Sequence, residues 1–396
     1  MDLQKSRSLT AYATTFMPLV LLLMLFPRQS VAVSYQSDAT TIQFKNWYPQ
    51  FGDVFQTILD VNCTEEYATY MTAVKDTNKI DWLGGGDRAS ALTQPVIQCL
   101  LDHTTDYVKS AMSSAQVLLG VTPTILAILS SSYTELALLN VVAKRPMLST
   151  LLALGSPGLY MSRAFEYTDP AQLLQDRRGR LRQNVWKGWK LQLLSIAEYV
   201  VALAAIANIA TINWDLGVKT ICPIWSDNVI APMLWSVLII VGHLLGSFIL
   251  RMQIKRIKLA KKPRKSGLIL MDWPKKFGRA IYEWSYTEWQ SAYRQKNIYL
   301  VAFGERYTVV IFSWILSTLI ILHVIYGTIV LSSLYFIGPR DALQVIARYI
   351  GSVLACRIIC MFEIAGLREN TKEIIFDCDA PENRFREPAQ LQILPK

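Results

Sequence analysis

Val229–Leu250, VIAPMLWSVLIIVGHLLGSFIL, runs straight into Arg251–Lys265, RMQIKRIKLAKKPRK, and this junction decides the fold. The first stretch is long and apolar enough to cross a bilayer as a helix. The second is a dense block of Lys and Arg, which marks the cytosolic end of a membrane helix. Once that end is placed, every other apolar run takes a fixed direction.

Working outward, the chain offers four more runs of this kind: Ala111–Ser131, Leu191–Trp214, Tyr307–Leu331 and Ala342–Leu367. They are continuous rather than alternating, which argues for helices and against a closed barrel. Only 18% of the 396 residues are charged, against about 25% in soluble domains. The expected class is an all-α polytopic transmembrane bundle with five spans. An N-terminal signal peptide or signal anchor and a re-entrant or interfacial segment complete it.

The charge of +10 is unevenly placed. Positions 34–110 carry five basic and ten acidic residues, whereas 251–306 carry fourteen basic and four acidic, and 144–190 nine and three. This divides the chain into a leader (1–33), an acidic lumenal or extracellular domain (34–110) and the membrane bundle (111–367). The bundle has basic cytosolic loops at 144–190 and 251–306, and a cytosolic tail (368–396) follows. Topology and attraction to anionic headgroups account for the Lys/Arg block without nucleic acid. The six cysteines form no CxxC and the three histidines no HExxH, so no metal or cofactor site is expected.

In the lumenal segment, Asn62-Cys63-Thr64 is a glycosylation sequon. Cys63 and Cys99 are the natural disulfide pair in an oxidising lumen, with two buried free thiols as the alternative. Thr122 and Pro123 predict a kink or weak point near the middle of the first span. After it, Leu136–Ala143 and Met147–Tyr160 are short apolar runs separated by Lys144, Arg145 and Pro146. We read them as re-entrant or interfacial helices, with Gly155–Gly158 breaking the second. The aromatic-rich segment 251–306 reads in part as an interfacial helix.

Ionisable residues at membrane depth point to function. Counted from the cytosolic ends at about 1.5 Å per residue, Glu198 and His243 lie roughly 10 Å deep and Arg357 roughly 12–15 Å. A carboxyl, an imidazole and a guanidinium on three helices therefore share a level and suggest one pocket. The competing reading is a structural Glu198–Arg357 ion pair, with His243 as a packing hydrogen-bonder. Glu363, nearer the cytosolic end, is expected to reach water. Glu166 and Asp169, in the Phe165-Glu166-Tyr167-Thr168-Asp169-Pro170 loop, are second choices at the pocket mouth.

Three stretches carry a resemblance. They are Val117-Leu118-Leu119-Gly120 with Pro123-Thr124-Ile125-Leu126, then Leu152-Ala153-Leu154-Gly155-Ser156-Pro157, then Phe165 to Pro170. Together they resemble a broad group of filamentous-fungal membrane proteins. Some of these are similar to the membrane-bound terpene cyclases of meroterpenoid pathways, such as those making ascofuranone and macrophorin. The resemblance covers about Cys99 to Pro170 and carries over no catalytic residue by position. It implies a lipophilic, farnesylated aromatic or quinone-like substrate in a secretory-pathway membrane such as the endoplasmic reticulum. It also implies ring closure started by a proton, with no metal or cofactor. Glu198 would be the acid, His243 a base or orienting group, and Arg357 the partner that sets the charge of Glu198. Tyr199, Trp235 and Tyr349 would stabilise a carbocation through their ring faces. The alternative is a non-enzymatic membrane protein, either a small-molecule transporter or a receptor or scaffold.

Overall fold

The structure, a computed structural model, describes residues 42–73, 93–160, 173–174, 189–226, 229–257, 287–295, 298–303 and 307–377. The leader, Glu166, Asp169 and the end of the tail lie outside these residues. The expected class holds: five helices are long and apolar enough to cross a membrane. Three short helices, α1 (Gly52–Val61), α2 (Thr64–Ala73) and α3 (Gln94–His103), precede them. The five are α4 (Asp106–Leu129), α7 (Trp189–Lys219), α8 (Ala231–Gln253), α9 (Tyr307–Ser332) and α10 (Pro339–Asn370). Directly after α4, among the described residues, stand two nine-residue helices, α5 (Tyr133–Val141) and α6 (Pro146–Leu154).

The two ends of the bundle differ. At one end, α1–α3 are joined by the Cys63–Cys99 disulfide. They share an apolar core with Val108 and Met112 of α4, and with Ile221 and Phe336. Phe336, in the α9–α10 turn, meets Phe55 edge-on at 5.1 Å between centroids. At the other end, the helices lead into a three-stranded sheet. Its strands are β1 (Ile254–Ile257), β2 (Ile298–Phe303) and β3 (Thr371–Asp377), with β2 antiparallel to β1 and parallel to β3. Each strand adjoins a basic loop or the tail, so we call this the basic face and the other the disulfide face.

The sheet adds strands near both ends of segment 251–306 and at the start of the tail. Residues 287–295 hold a helical turn and a short 3-10 helix, and the expected interfacial helix falls on 258–286, outside the described residues. The β-branched and aromatic residues of Ile298–Phe303 alternate buried and half-buried, the period of a strand with one covered face. Partners distant in sequence give that pattern its meaning.

The first crossing is interrupted beyond Pro123. Helix α4 continues past Pro123 to Leu129, and the chain opens at Ser130 and Ser132, whose backbones are extended. Gly120 packs on Ser332, at the disulfide-face end of α9. Nine more residues carry α4 about 13 Å below that end, well inside a bundle whose α9 is about 39 Å long. Helix α5 then completes the crossing. Its start is fixed by a capping box: Glu135 N donates to Ser132 Oγ at 3.1 Å, and Ser132 N donates to Glu135 Oε2 at 2.9 Å. Lys144 turns the chain with φ 57°, and α6 runs back until Gly155, as its Gly-Ser-Pro-Gly sequence predicts. Tyr160 N then donates to Ser131 O at 3.1 Å, so the two non-helical stretches meet. Backbone without helix survives at membrane depth when protein encloses it. Ser130, Ser131 and Ser156 are all buried.

Close packing holds the disulfide-face half. Trp235 is fully buried, stacked on His323 at 5.8 Å and edge-on to Tyr349 at 5.9 Å. Gly327 lies flat against the indole: a methyl there would fall 2.6 Å from Cε2 and closer still to Nε1. Gly327→Ala should therefore cost about 1–3 kcal/mol through overpacking. The loss would be read as a lower melting temperature in detergent, and an unchanged melt would disprove this packing.

Candidate functional site

The α5–α6 hairpin collects the polar side chains of the membrane interior. Arg145, at its tip, is fully buried. Its Nη1 lies 2.7 Å from Glu198 Oε2 on α7 and 2.8 Å from Glu363 Oε2 on α10. Its Nη2 donates to Ser195 Oγ at 2.7 Å, and its Nε to the Glu288 carbonyl at 3.0 Å. Tyr199 places its ring 5.5 Å from the guanidinium carbon, within cation–π reach.

Glu363 is held on its other side as well. Ser291 Oγ donates to its Oε1 at 2.6 Å, and Ala292 N to its Oε2 at 3.0 Å. The Glu288 carboxylate accepts from Tyr199 Oη at 2.5 Å and from Leu148 N at 3.0 Å. Trp289 covers Tyr199 at 4.8 Å between centroids. Two carboxyls thus converge on one guanidinium, which stays protonated in any protein setting, and a third, that of Glu288, lies beside them on Tyr199. Glu198 Oε1 and Glu288 Oε2 are buried without a hydrogen-bond partner among the described residues.

The three residues chosen by depth do not face one another; each grips a different rung of the hairpin. Glu198 takes Arg145. His243 Nε2 lies 3.4 Å from Ser149 Oγ, which itself donates to Leu136 O at 2.6 Å. Arg357 pairs with Glu135, so the expected Glu198–Arg357 pair does not form. Further rungs follow the same pattern: Asn140 Nδ2 donates to Ser247 Oγ at 2.9 Å, and Gln295 Nε2 to Ala143 O at 2.7 Å. Glu363, expected to reach water, has no exposed side-chain surface. The reason is common to all of them. A re-entrant hairpin takes its own polar groups away from water, and these draw the ionisable residues of the surrounding helices inward.

Of the aromatic candidates, only Tyr199 joins this site. Trp235 and Tyr349 pack with each other in the disulfide-face half, where Tyr349 Oη donates to Asn213 Oδ1 at 2.8 Å. Arg145 and Glu288 were missed in the sequence. Arg145 had a signal, because a cation at the tip of a re-entrant turn needs acids at its own depth, and Glu198 and Glu363 supply them. Glu288 had none, sitting in an aromatic-rich loop. At the disulfide face, Cys63 and Cys99 are bonded as expected, and Asn62 is exposed at the end of α1.

Fold and site together define an integral membrane helix bundle with an interior acid–guanidinium cluster. Compared with protein-family models, curated proteins and solved structures, the chain matches none.

Proposed function

We propose that this protein is a membrane-bound cyclase that closes a ring on a prenylated aromatic or quinone-like molecule, with the carboxyls on Arg145 as its proton source. The observation that carries this reading is the surplus of acid: Glu198 and Glu363 both meet a single guanidinium, and the Glu288 carboxyl lies beside them on Tyr199. Such a cluster can hold and release a proton inside the membrane, which is what a general acid must do. In the reaction a carboxyl O–H breaks and its proton passes to an epoxide oxygen, whose C–O bond then opens to leave a hydroxyl, or to a terminal olefin carbon, whose π bond is consumed. The π electrons of a neighbouring double bond then form the new C–C bond. A carboxylate finally removes a C–H proton and leaves an alkene, so the product is an isomer of the substrate. Tyr199 and Trp289 offer ring faces beside the acids. The fungal setting and the substrate class come from the resemblance in the Cys99–Pro170 region.

The orientation has two supports: basic loops favour the cytosol, and a disulfide persists in an oxidising lumen. The two lie at opposite faces, as residence in the endoplasmic reticulum or another secretory-pathway membrane requires. The test is Glu198→Gln in microsomes given a farnesylated phenol. Isomer formation should fall by about 100-fold or more, while the protein keeps its elution profile in detergent. Full cyclisation by the variant would refute the assignment.

A second reading, a small-molecule transporter, is favoured by the interrupted α4–α5 crossing, a device that transporters use at mid-membrane. Substrate uptake into vesicles with no change of structure would select it. An isomer of equal mass without uptake would select the cyclase.

A further inference from the structure

Asn62-Cys63-Thr64 stands apart from the Arg145 cluster, at the disulfide face, in the turn between α1 and α2. It is the only Asn-x-Ser/Thr triplet in the chain. Asn62 and Thr64 are exposed, whereas Cys63 between them is fully buried. Val61 and Glu65 on either side are exposed as well. A bulky sugar on Asn62 therefore meets open surface.

The same turn is closed to an enzyme. Asn62 N and Cys63 N both donate to Ile58 O, at 2.8 and 3.2 Å, and Tyr67 N donates to Cys63 O at 3.0 Å. Cys63 is bonded to Cys99, whose Sγ lies 3.7 Å from Asn62 O. A glycosyltransferase reads the Asn amide and the Thr hydroxyl together. Here the residue that joins them is cross-linked into the core of Phe55, Leu59 and Tyr70. The triplet could enter a cleft only if Cys63 were drawn out of that core. Order of synthesis gives access instead. Cys99 enters the chain 36 residues after Cys63. At about 5–20 residues per second, the triplet stands without its cross-link for roughly 2–7 s.

We infer that Asn62 receives an N-linked oligosaccharide during synthesis, in competition with closure of the Cys63–Cys99 bond, so that the disulfide sets how much of the protein is glycosylated. The donor is a lipid-linked oligosaccharide diphosphate. A bond forms from Asn62 Nδ2 to the first sugar carbon, the C–O bond to the diphosphate breaks, and an amide proton leaves with the diphosphate. The inference is independent of the cyclase reaction and rests on the lumenal placement of the disulfide face proposed above.

The full chain translated into microsomes should run as two bands, the upper one removed by endoglycosidase and absent in Asn62→Gln. Cys99→Ser should move the lower band into the upper. Dithiothreitol present while the unaltered chain is made should do the same. Neither arm needs a stably folded product, because the readout is the sugar. A bare Asn62 in Cys99→Ser would overturn the inference. So would an equal glycosylated fraction with and without Cys99. A sequon appended after Lys396 separates the two ways of failing. Sugar on that tail and none on Asn62 would overturn the placement of the faces too. With both sites bare, that placement would stand and the glycan alone would be refuted.

Discussion

Arg145→Met should destabilise the bundle by roughly 3–5 kcal/mol, the usual result of stranding a buried charge by removing its partner. Glu198 and Glu363 are 4% and 0% exposed, and both reach the same guanidinium nitrogen. Without it, their mutual repulsion and the cost of burial fall on α7 and α10 directly. The hairpin tip would also release Ser195 and the Glu288 carbonyl. The loss should appear as a large drop in melting temperature by fluorescence-detected chromatography in detergent. Adding Glu198→Gln and Glu363→Gln to Arg145→Met should recover much of it. Replacing a whole buried ionic group with neutral residues is often close to neutral, unlike breaking it. If Arg145→Met alone melted like the unaltered chain, the cluster would not be holding the hairpin.

Cys63→Ser, or reduction of the bond, should cost the α1–α3 region about 4 kcal/mol. The bridge closes a separation of 36 residues, and the chain-entropy relation for a loop of that length gives about this value. The apolar core beneath it is small and aromatic, with Phe55, Tyr70 and Phe336 at its centre. It leans on α4 and the α9–α10 turn through side chains such as Asp341, whose Oδ2 accepts from Gln50 N at 3.0 Å. The variant should therefore be cut by added protease between residues 42 and 103, while α7–α10 stay protected. Cleavage no faster than in the oxidised protein would contradict this role.

The sequence by itself determined the crossings and their direction relative to the basic loops, and it favoured the Cys63–Cys99 pair that the structure shows. Each depends on local quantities: length of an apolar run, sign of flanking charge, and placement of thiols in the one segment ahead of the first span. Hydrocarbon thickness and the positive-inside rule act on single segments, so they can be read one segment at a time. Depth was legible too, since Glu198, His243 and Arg357 do lie within the bundle. Which way each points is a property of helix rotation, and rotation is set by partners on other helices. Only the tertiary structure decided that the α5–α6 hairpin stands among them, sending Glu198 to Arg145, His243 to Ser149 and Arg357 to Glu135. It likewise decided that strands meet at the basic face, because a ladder between Ile254, Ala302 and Phe376 joins residues far apart in the chain. Buried polar groups must find partners wherever these lie, and no spacing along a single helix records that search.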